Sequence, residues 1–287
     1  KNNKYNSPII TATVIDRITF FSKLLVIFNI TLPMIIISVL LGKIFQIVRD
    51  WLPVIFHRLL IWLFSITIEY EGYYRKSPSC NLFISNHLSY LDIPVLGSIL
   101  PLRFVAKSEV KYWPIIGFLS KLASTVFIKR VRSDSLHQKK KIFNLLSEGK
   151  KLLIFPEGTT SDGNRILPFK SSLFSALENQ NFIIQPLIII YSDLNGMPIN
   201  RWLRPIIAWY GDMDLLPHLS ILKNIKSINV KIIYLKPVNT MNFSNRKELS
   251  NYLEQQAYAS YSADSSCHQH YPCAGGHICC GGSVYVK

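Results

Sequence analysis

A histidine and an aspartate five residues apart, in Asn86-His87-Leu88-Ser89-Tyr90-Leu91-Asp92, have the types needed for a general base held by an orienting carboxylate. Whether they meet depends on where a helix starts. On one continuous helix, five steps of about 100° set the two side chains ~140° apart, facing different neighbours. If His87 sits in a turn and a helix begins near Ser89, Asp92 falls in the first helical turn and its carboxylate reaches back to one imidazole nitrogen. A second polar run, Phe155-Pro156-Glu157-Gly158-Thr159-Thr160, lies further along the chain. Each run directly follows a strand-like apolar stretch, Leu82 to Ile84 and Leu152 to Phe155, where a rigid sheet displays side chains on the loops at its edge. The H-x4-D spacing alone is a weak signal, and a lone histidine is more often a satisfied core residue. The Phe-Pro-Glu-Gly run is far rarer, and the two together point to a site.

The elements expected to position these runs alternate between strand and helix from about residue 69. Short apolar runs predict strands at Leu82–Ser85, Arg103–Ala106, Thr125–Lys129, Leu152–Phe155, Phe182–Ile190, Ile206–Tyr210 and Ile228–Leu235. Helices fit Tyr90–Ile99, Ser133–Glu148, Ser171–Asn179, Leu215–Lys226 and Asn245–Tyr258, with Ser133 as an N-cap and Gly149 as a stop. This alternation predicts an α/β fold with a central mixed sheet flanked by helices. The expected domains are a membrane-associated helical region at 1–68, the α/β domain at 69–258, and a tail at 259–287.

The region before residue 69 has a different character. Leu24 to Gly42 is a 19-residue stretch without a charge, barely long enough at about 1.5 Å per residue to cross a ~30 Å hydrocarbon core. Asn29 and Pro33 interrupt it, which membrane helices tolerate. The second apolar segment, Trp51 to Ile68, contains His57 and Arg58 and reads as interfacial, with Trp51 and Trp62 suited to headgroup level. Arg17 and Lys23 precede the first segment and Lys43 and Arg49 follow it, so the basic flanks set no orientation. The expectation is a segment that dips into one leaflet with both ends on the cytoplasmic side; a single span is the rival. A secretory signal peptide fits poorly, because no small-residue cleavage site follows the long apolar run. A buried pair of soluble core helices is the remaining alternative.

Composition agrees with a membrane surface. The 287-residue chain is 49% hydrophobic and only 17% charged, yet carries a net charge of +15. Strongly basic proteins seek polyanions, and without a recognisable nucleic-acid module the anionic face of a bilayer is the expected partner. Only Cys80 lies within the first 266 residues, so the core has no disulfide framework, as suits a reducing compartment. In the tail, Cys267, His268, His270, Cys273, His277, Cys279 and Cys280 crowd together. Their C-x5-C-x5-C-C spacing is not that of common structural zinc sites, so a disordered terminus is expected and no metal is assigned.

Taken in order, the two runs and the blocks between them resemble the glycerolipid acyltransferases that act on lysophosphatidate and related lysolipids. Phe104-Val105-Ala106-Lys107-Ser108-Glu109 with Trp113-Pro114 and Gly117 is similar to the family's second block, and Thr125 to Arg130 to a strand ending in its basic residue. Gln185-Pro186 resembles the fourth block, and Trp209-Tyr210-Gly211-Asp212 recurs in one branch of the family. The likeness runs from about Asn81 to Leu235.

The resemblance implies transfer of an acyl group from an acyl-CoA or acyl-carrier-protein thioester to a lysolipid hydroxyl, with no cofactor. The first choice of acceptor is 1-acyl-glycerol-3-phosphate, giving phosphatidate. His87 would remove the hydroxyl proton as the oxygen attacks, and Asp92 would hold the ring. Asn86 would add an amide hydrogen bond, and N–H groups near the helix start would serve the oxyanion. Lys107 and Arg130 would face the anionic headgroup, with Glu157, Gly158, Thr159 and Thr160 shaping the acceptor pocket. Partners would be membrane lipids and the acyl donor, not nucleic acid, at a bacterial inner membrane with the site on its cytoplasmic side. Many members have arginine where this chain has Thr160, and a hydroxyl supplies neither its charge nor its forked donors. Arg165 or Lys170 are the nearby substitutes. Thr160-Ser161-Asp162-Gly163 with the Trp209 run resembles a branch acylating lyso-ornithine lipids, the alternative acceptor. A non-catalytic lipid-binding protein is the alternative of another class.

Overall fold

A computed structural model describes residues 13–42, 44–72, 80–129, 135–222 and 224–267. Two helices lead the chain, α1 (Val14–Leu41) and α2 (Gln46–Leu63). Thr13 and Asp16 close a reciprocal capping box at the start of α1, satisfying backbone donors that a helix start leaves open. Lys23 Nζ donates to the Trp62 carbonyl at 3.2 Å and to Ser65 Oγ at 2.9 Å, so α1 folds back along α2 as a hairpin. Most of the outer surface of α1 is exposed apolar side chain. By length and composition it is the one described helix able to cross a membrane.

The first strand, β1 (Ile66–Gly72), follows α2 directly, so the sheet begins inside the region expected to be only membrane-associated. The other strands are β2 (Cys80–Ser85), β3 (Arg103–Lys107), β4 (Val126–Ile128), β5 (Leu152–Ile154), β6 (Ile183–Leu194), β7 (Met197–Pro198), β8 (Ile228–Tyr234) and β9 (Val238–Asn239). The order is β1-β8-β6-β2-β5-β3-β4, with β7 and β9 also paired to β6. β2 runs parallel to both its neighbours, β5 and β6, while β6 and β8 are antiparallel, which makes the sheet mixed as expected.

Alternation along the strands splits the core in two. Leu82, Ile84, Leu152, Ile154 and Ile188 face one layer; Phe83, Leu153, Leu187 and Ile189 face the other. The first layer packs under α5 (Ser135–Ser147) and α8 (Arg246–Cys267). The second is covered by α3 (Asp92–Gly97), α6 (Arg204–Ile207) and α7 (Leu215–Leu222). A short helix, α4 (Ile116–Leu122), lies between β3 and β4.

α2 is laid along the domain rather than projecting from it. Asp50, near its start, pairs with Arg103 at 3.0 Å and Lys150 at 3.5 Å. Arg58 Nε donates to the Ser98 carbonyl, and His57 fills the space that a side chain on Gly97 would need. Both ends of the hairpin therefore lie beside the α/β layers.

Three expectations are corrected. Ile206–Tyr210 is not a strand. Arg204–Ile207 is a short helix, entered through Pro205, whose missing N–H is harmless in a first turn. Ser171–Asn179 is only a 3-10 turn at Ser171–Phe174 followed by further turns, because Lys170 and the residues after it are tied locally to Pro156 and to one another. Helix α8 does not stop at Tyr258 but runs to Cys267, with Tyr261 buried and its hydroxyl on the Gly163 carbonyl at 2.6 Å. The tail boundary thus moves past 259, and residues 268–287, like Ser133, lie outside the described residues.

Candidate active site

The topology brings the two runs together. β2 and β5 are parallel neighbours with Ile84 opposite Ile154, so the loops leaving their ends are adjacent. Asn86-His87 therefore emerges beside Pro156-Glu157.

His87 stands in the loop after β2, outside any helix or strand, and Asp92 is the first residue of α3, two residues later than the helix start expected from sequence. His87 Nδ1 lies 2.7 Å from Asp92 Oδ2. A carboxylate oxygen accepts, so Nδ1 carries the proton and Nε2 presents its lone pair. The same Oδ2 accepts from the N–H groups of Leu88 and Ser89, at 2.7 and 3.0 Å, so the loop wraps around the carboxylate. Oδ1 accepts from the Tyr191 hydroxyl at 2.7 Å. Asp92 is fully enclosed, whereas the His87 side chain retains 18% exposure. Its ring stacks on Phe155, centroids 3.9 Å apart and planes within 12°. Buried donors normally end on acceptors, and here they fix one tautomer and one ring orientation.

The N–H groups of Leu88, Ser89, Leu91, Asp92 and Ile93 are all bonded within this turn. They do not form the anion-stabilising cluster expected at the helix start.

The side chain of Asn86, expected to contact substrate, is engaged by the framework. Its side-chain oxygen accepts from Ile189 N–H at 2.8 Å and its amide donates to the Ile189 carbonyl at 3.0 Å, pinning the loop to β6. Glu157, expected to shape the acceptor pocket, is likewise tied to the backbone. One carboxylate oxygen accepts from His87 N–H at 2.7 Å and the other from Leu167 N–H at 2.8 Å, with the side chain buried. Both oxygens of that carboxylate tie loops together.

Burial pushes the Glu157 carboxyl from the ordinary 4.5 up to about 7, against the two N–H groups that favour its charged form. The native state then binds more protons than the unfolded chain between these values, so stability should fall as pH rises from about 4.5 to about 7. Glu157→Gln removes the titration. Thermal unfolding of both proteins in detergent at stepped pH should show a steeper decline for the native chain across that window. Parallel profiles would contradict the assignment.

Gly158 has φ +64, and a Cβ there would come within 2.8 Å of Lys170 Nζ. The glycine is thus needed for the turn, and Lys170, one of the two expected substitutes for the missing arginine, lies over it. Thr159 is exposed, Thr160 half-buried, and Arg165 exposed on the following loop. Ser161 N–H donates to the His87 carbonyl at 2.8 Å. Lys107 ends β3; with Phe104 opposite Leu153, carrying the register forward sets it level with Pro156, at the same sheet edge as His87. Arg130 lies outside the described residues. Among the described residues no group of His, Cys, Asp or Glu is placed to hold a metal ion.

Two contributors were missed in the sequence. Tyr191 continues the Leu187–Ile189 face of β6, and strand alternation extended by two residues would have found it. Trp209 N–H donates to the Leu88 carbonyl at 3.0 Å, anchoring the histidine loop from the far side. Beside it, the Tyr90 hydroxyl sits 2.9 Å from Nδ1 of buried His218, whose Nε2–H donates to the Pro205 carbonyl.

Residues 67–190 match the family model described as Acyltransferase. The chain is 38% identical over 217 residues to a lyso-ornithine lipid O-acyltransferase of Brucella abortus, covering 72% of this chain and 80% of that protein. It is 30% identical over 191 residues to a 1-acyl-sn-glycerol-3-phosphate acyltransferase of Neisseria gonorrhoeae, covering 66% and 72%. The crystal structure of PlsC, the 1-acyl-sn-glycerophosphate acyltransferase of Thermotoga maritima, shares the fold with a TM-score of 0.60, at 21% identity over 88% of this chain and 96% of that one.

Proposed function

The chain belongs to the acyltransferase family, and from that premise we propose that it moves a fatty acyl group from a thioester to the free hydroxyl of a zwitterionic lysolipid of the lyso-ornithine type. The observation that carries the chemistry is the His87–Asp92 pair at 2.7 Å, with Nε2 unbonded among the described residues on a part-exposed ring.

His87 Nε2 takes the acceptor's hydroxyl proton as its oxygen attacks the thioester carbonyl carbon. Asp92, held by Leu88, Ser89 and Tyr191, keeps the proton on Nδ1 and stabilises the imidazolium that forms. When the tetrahedral intermediate collapses, the carbon–sulfur bond breaks, the imidazolium returns its proton to the thiolate, and the ester remains. The thioester is already activated, so no protein nucleophile enters and no cofactor is needed. The donor is acyl-CoA or acyl-carrier protein.

Two observations favour the lyso-ornithine acceptor over lysophosphatidate. Thr160 supplies no charge where a phosphate-binding arginine would stand, and the relative at 38% identity bears the lyso-ornithine name. Lysophosphatidate is the second reading, favoured by the basic positions and by the relative at 30%. Side-by-side turnover of the two acceptors tests this. Lyso-ornithine lipid should be preferred, and Thr160→Arg should lower its use while raising that of lysophosphatidate. A native preference for lysophosphatidate, left intact or improved by Thr160→Arg, would reverse the assignment.

The protein is membrane-associated. The α1–α2 hairpin lies within one leaflet rather than spanning, because Asp50 near the hairpin turn is ion-paired to the α/β domain. The site faces the cytoplasm, where acyl thioesters are found.

A further inference from the structure

The segment between β3 and β4 carries an apolar display that the catalytic site does not use. Tyr112 is 78% exposed, Ile115 76% and Phe118 48%, and Trp113 and Ile116 are also exposed. This surface is built. Trp113 N–H donates to the Val110 carbonyl and Gly117 N–H to the Trp113 carbonyl. A Cβ on Gly117 would lie 2.4 Å from the Lys111 carbonyl oxygen, so the turn closes tightly only with glycine there.

The backbone is strained to make it. Ile115 has φ 60 and ψ −58, and Ile116 N–H donates to the Pro114 carbonyl, a γ-turn of the rarer hand. A β-branched residue at positive φ is an outlier. Here it also holds the side chain out into solvent, so backbone strain and apolar exposure coincide at one residue. Both are unfavourable for a surface meant to face water, and the exposure becomes favourable when the turn meets a lipid phase.

Three further observations select the occupant. Helix α4, which begins at Ile116, lies against α1, the exposed apolar helix of the membrane hairpin. Lys111 and Lys121 flank the display, as an anionic leaflet would require. Trp113 packs edge-on against Trp209 at 6.2 Å, and Trp209 N–H holds the carbonyl of Leu88, the residue after His87.

We infer that residues 112–118 form a second membrane-inserting element, continuous with α1, that seats the mouth of the site on an anionic leaflet and admits a lipid acceptor from it. The insertion stands on its own, while the admission of the acceptor rests on the lysolipid reading.

The full chain, carrying photoreactive benzoylphenylalanine in place of Phe118, would be reconstituted in phosphatidylcholine–phosphatidylglycerol vesicles containing radiolabelled phospholipid. The same group in place of Tyr258, 57% exposed on α8, provides the control. Irradiation should label the chain with lipid at 118 and not at 258. Equal labelling at the two positions, or crosslinking at 118 to a second copy or within the chain, would overturn the insertion whatever the acceptor. The double variant Ile115→Glu, Phe118→Glu should raise KM for a vesicle-borne long-chain lysolipid roughly tenfold while leaving kcat/KM for a short-chain, monomeric lysolipid unchanged. An equal loss on both acceptors, or no loss on either, would overturn the admission route. If no acceptor is turned over, the lysolipid reading fails and the labelling still decides the insertion.

Discussion

Replacing His87 with alanine is expected to lower kcat by ~100-fold or more, the lower range of what a positioned general base contributes. An alkanol is far too weak an acid to ionise unaided, and the open Nε2 is the acceptor that the geometry offers for its proton. The variant should fold, because the main-chain bonds of His87, from its N–H to Glu157 and from Ser161 N–H to its carbonyl, do not involve the ring. Acceptor KM should change little, since the base acts in the transition state and not in ground-state binding. Single-turnover kinetics with preformed thioester separate the two. Near-normal turnover by folded His87→Ala protein would eliminate the base role.

Asp92→Asn should cost somewhat less in kcat, yet with a second signature. Four donors converge on the carboxylate, from His87, Leu88, Ser89 and Tyr191. An amide has one acceptor oxygen, so its NH2 must confront at least one of these donors in a buried site, at about 1–3 kcal/mol. If the NH2 turns to His87 Nδ1, it forces the proton onto Nε2 and removes the base, the wrong-tautomer effect of the analogous change in serine proteases. A large fall in kcat should therefore accompany a lower unfolding temperature. Tyr191→Phe, which removes a single donor, should lower both only modestly. An Asp92→Asn enzyme with unaltered kcat would refute the orienting role.

How far the sequence foretold this arrangement depended on the range of the interactions. Leu82–Ser85, Leu152–Phe155 and Ile228–Leu235 were legible as strands because apolar runs of strand length are written locally, and the chemistry of His87 and Asp92 needed only a turn and a helix start. The framework bonds of Asn86 and Glu157 were not legible because their partners are distant. Asn86 bonds to Ile189, on a strand a hundred residues later, and Glu157 to His87 and Leu167. A polar residue beside a catalytic one looks the same in sequence whether it meets substrate or a backbone across the sheet. The helix at Arg204–Ile207 was missed because Pro205 and two isoleucines suit an edge strand equally well by composition. The exposed turn at Tyr112–Phe118 could not be read as a surface at all, since only the folded chain decides which apolar residues remain uncovered.

The most direct measurement is product formation by the purified full-length protein in lipid vesicles, with radiolabelled acyl thioester and a panel of lysolipids, following acylated lipid and free thiol together. The predicted result is equimolar release of thiol and acylated lysolipid, fastest with lyso-ornithine lipid and abolished by His87→Ala. Binding of lysolipid with no acylated product from any acceptor, under conditions where the protein is folded, would contradict the account and leave a lipid-binding protein in place of an enzyme.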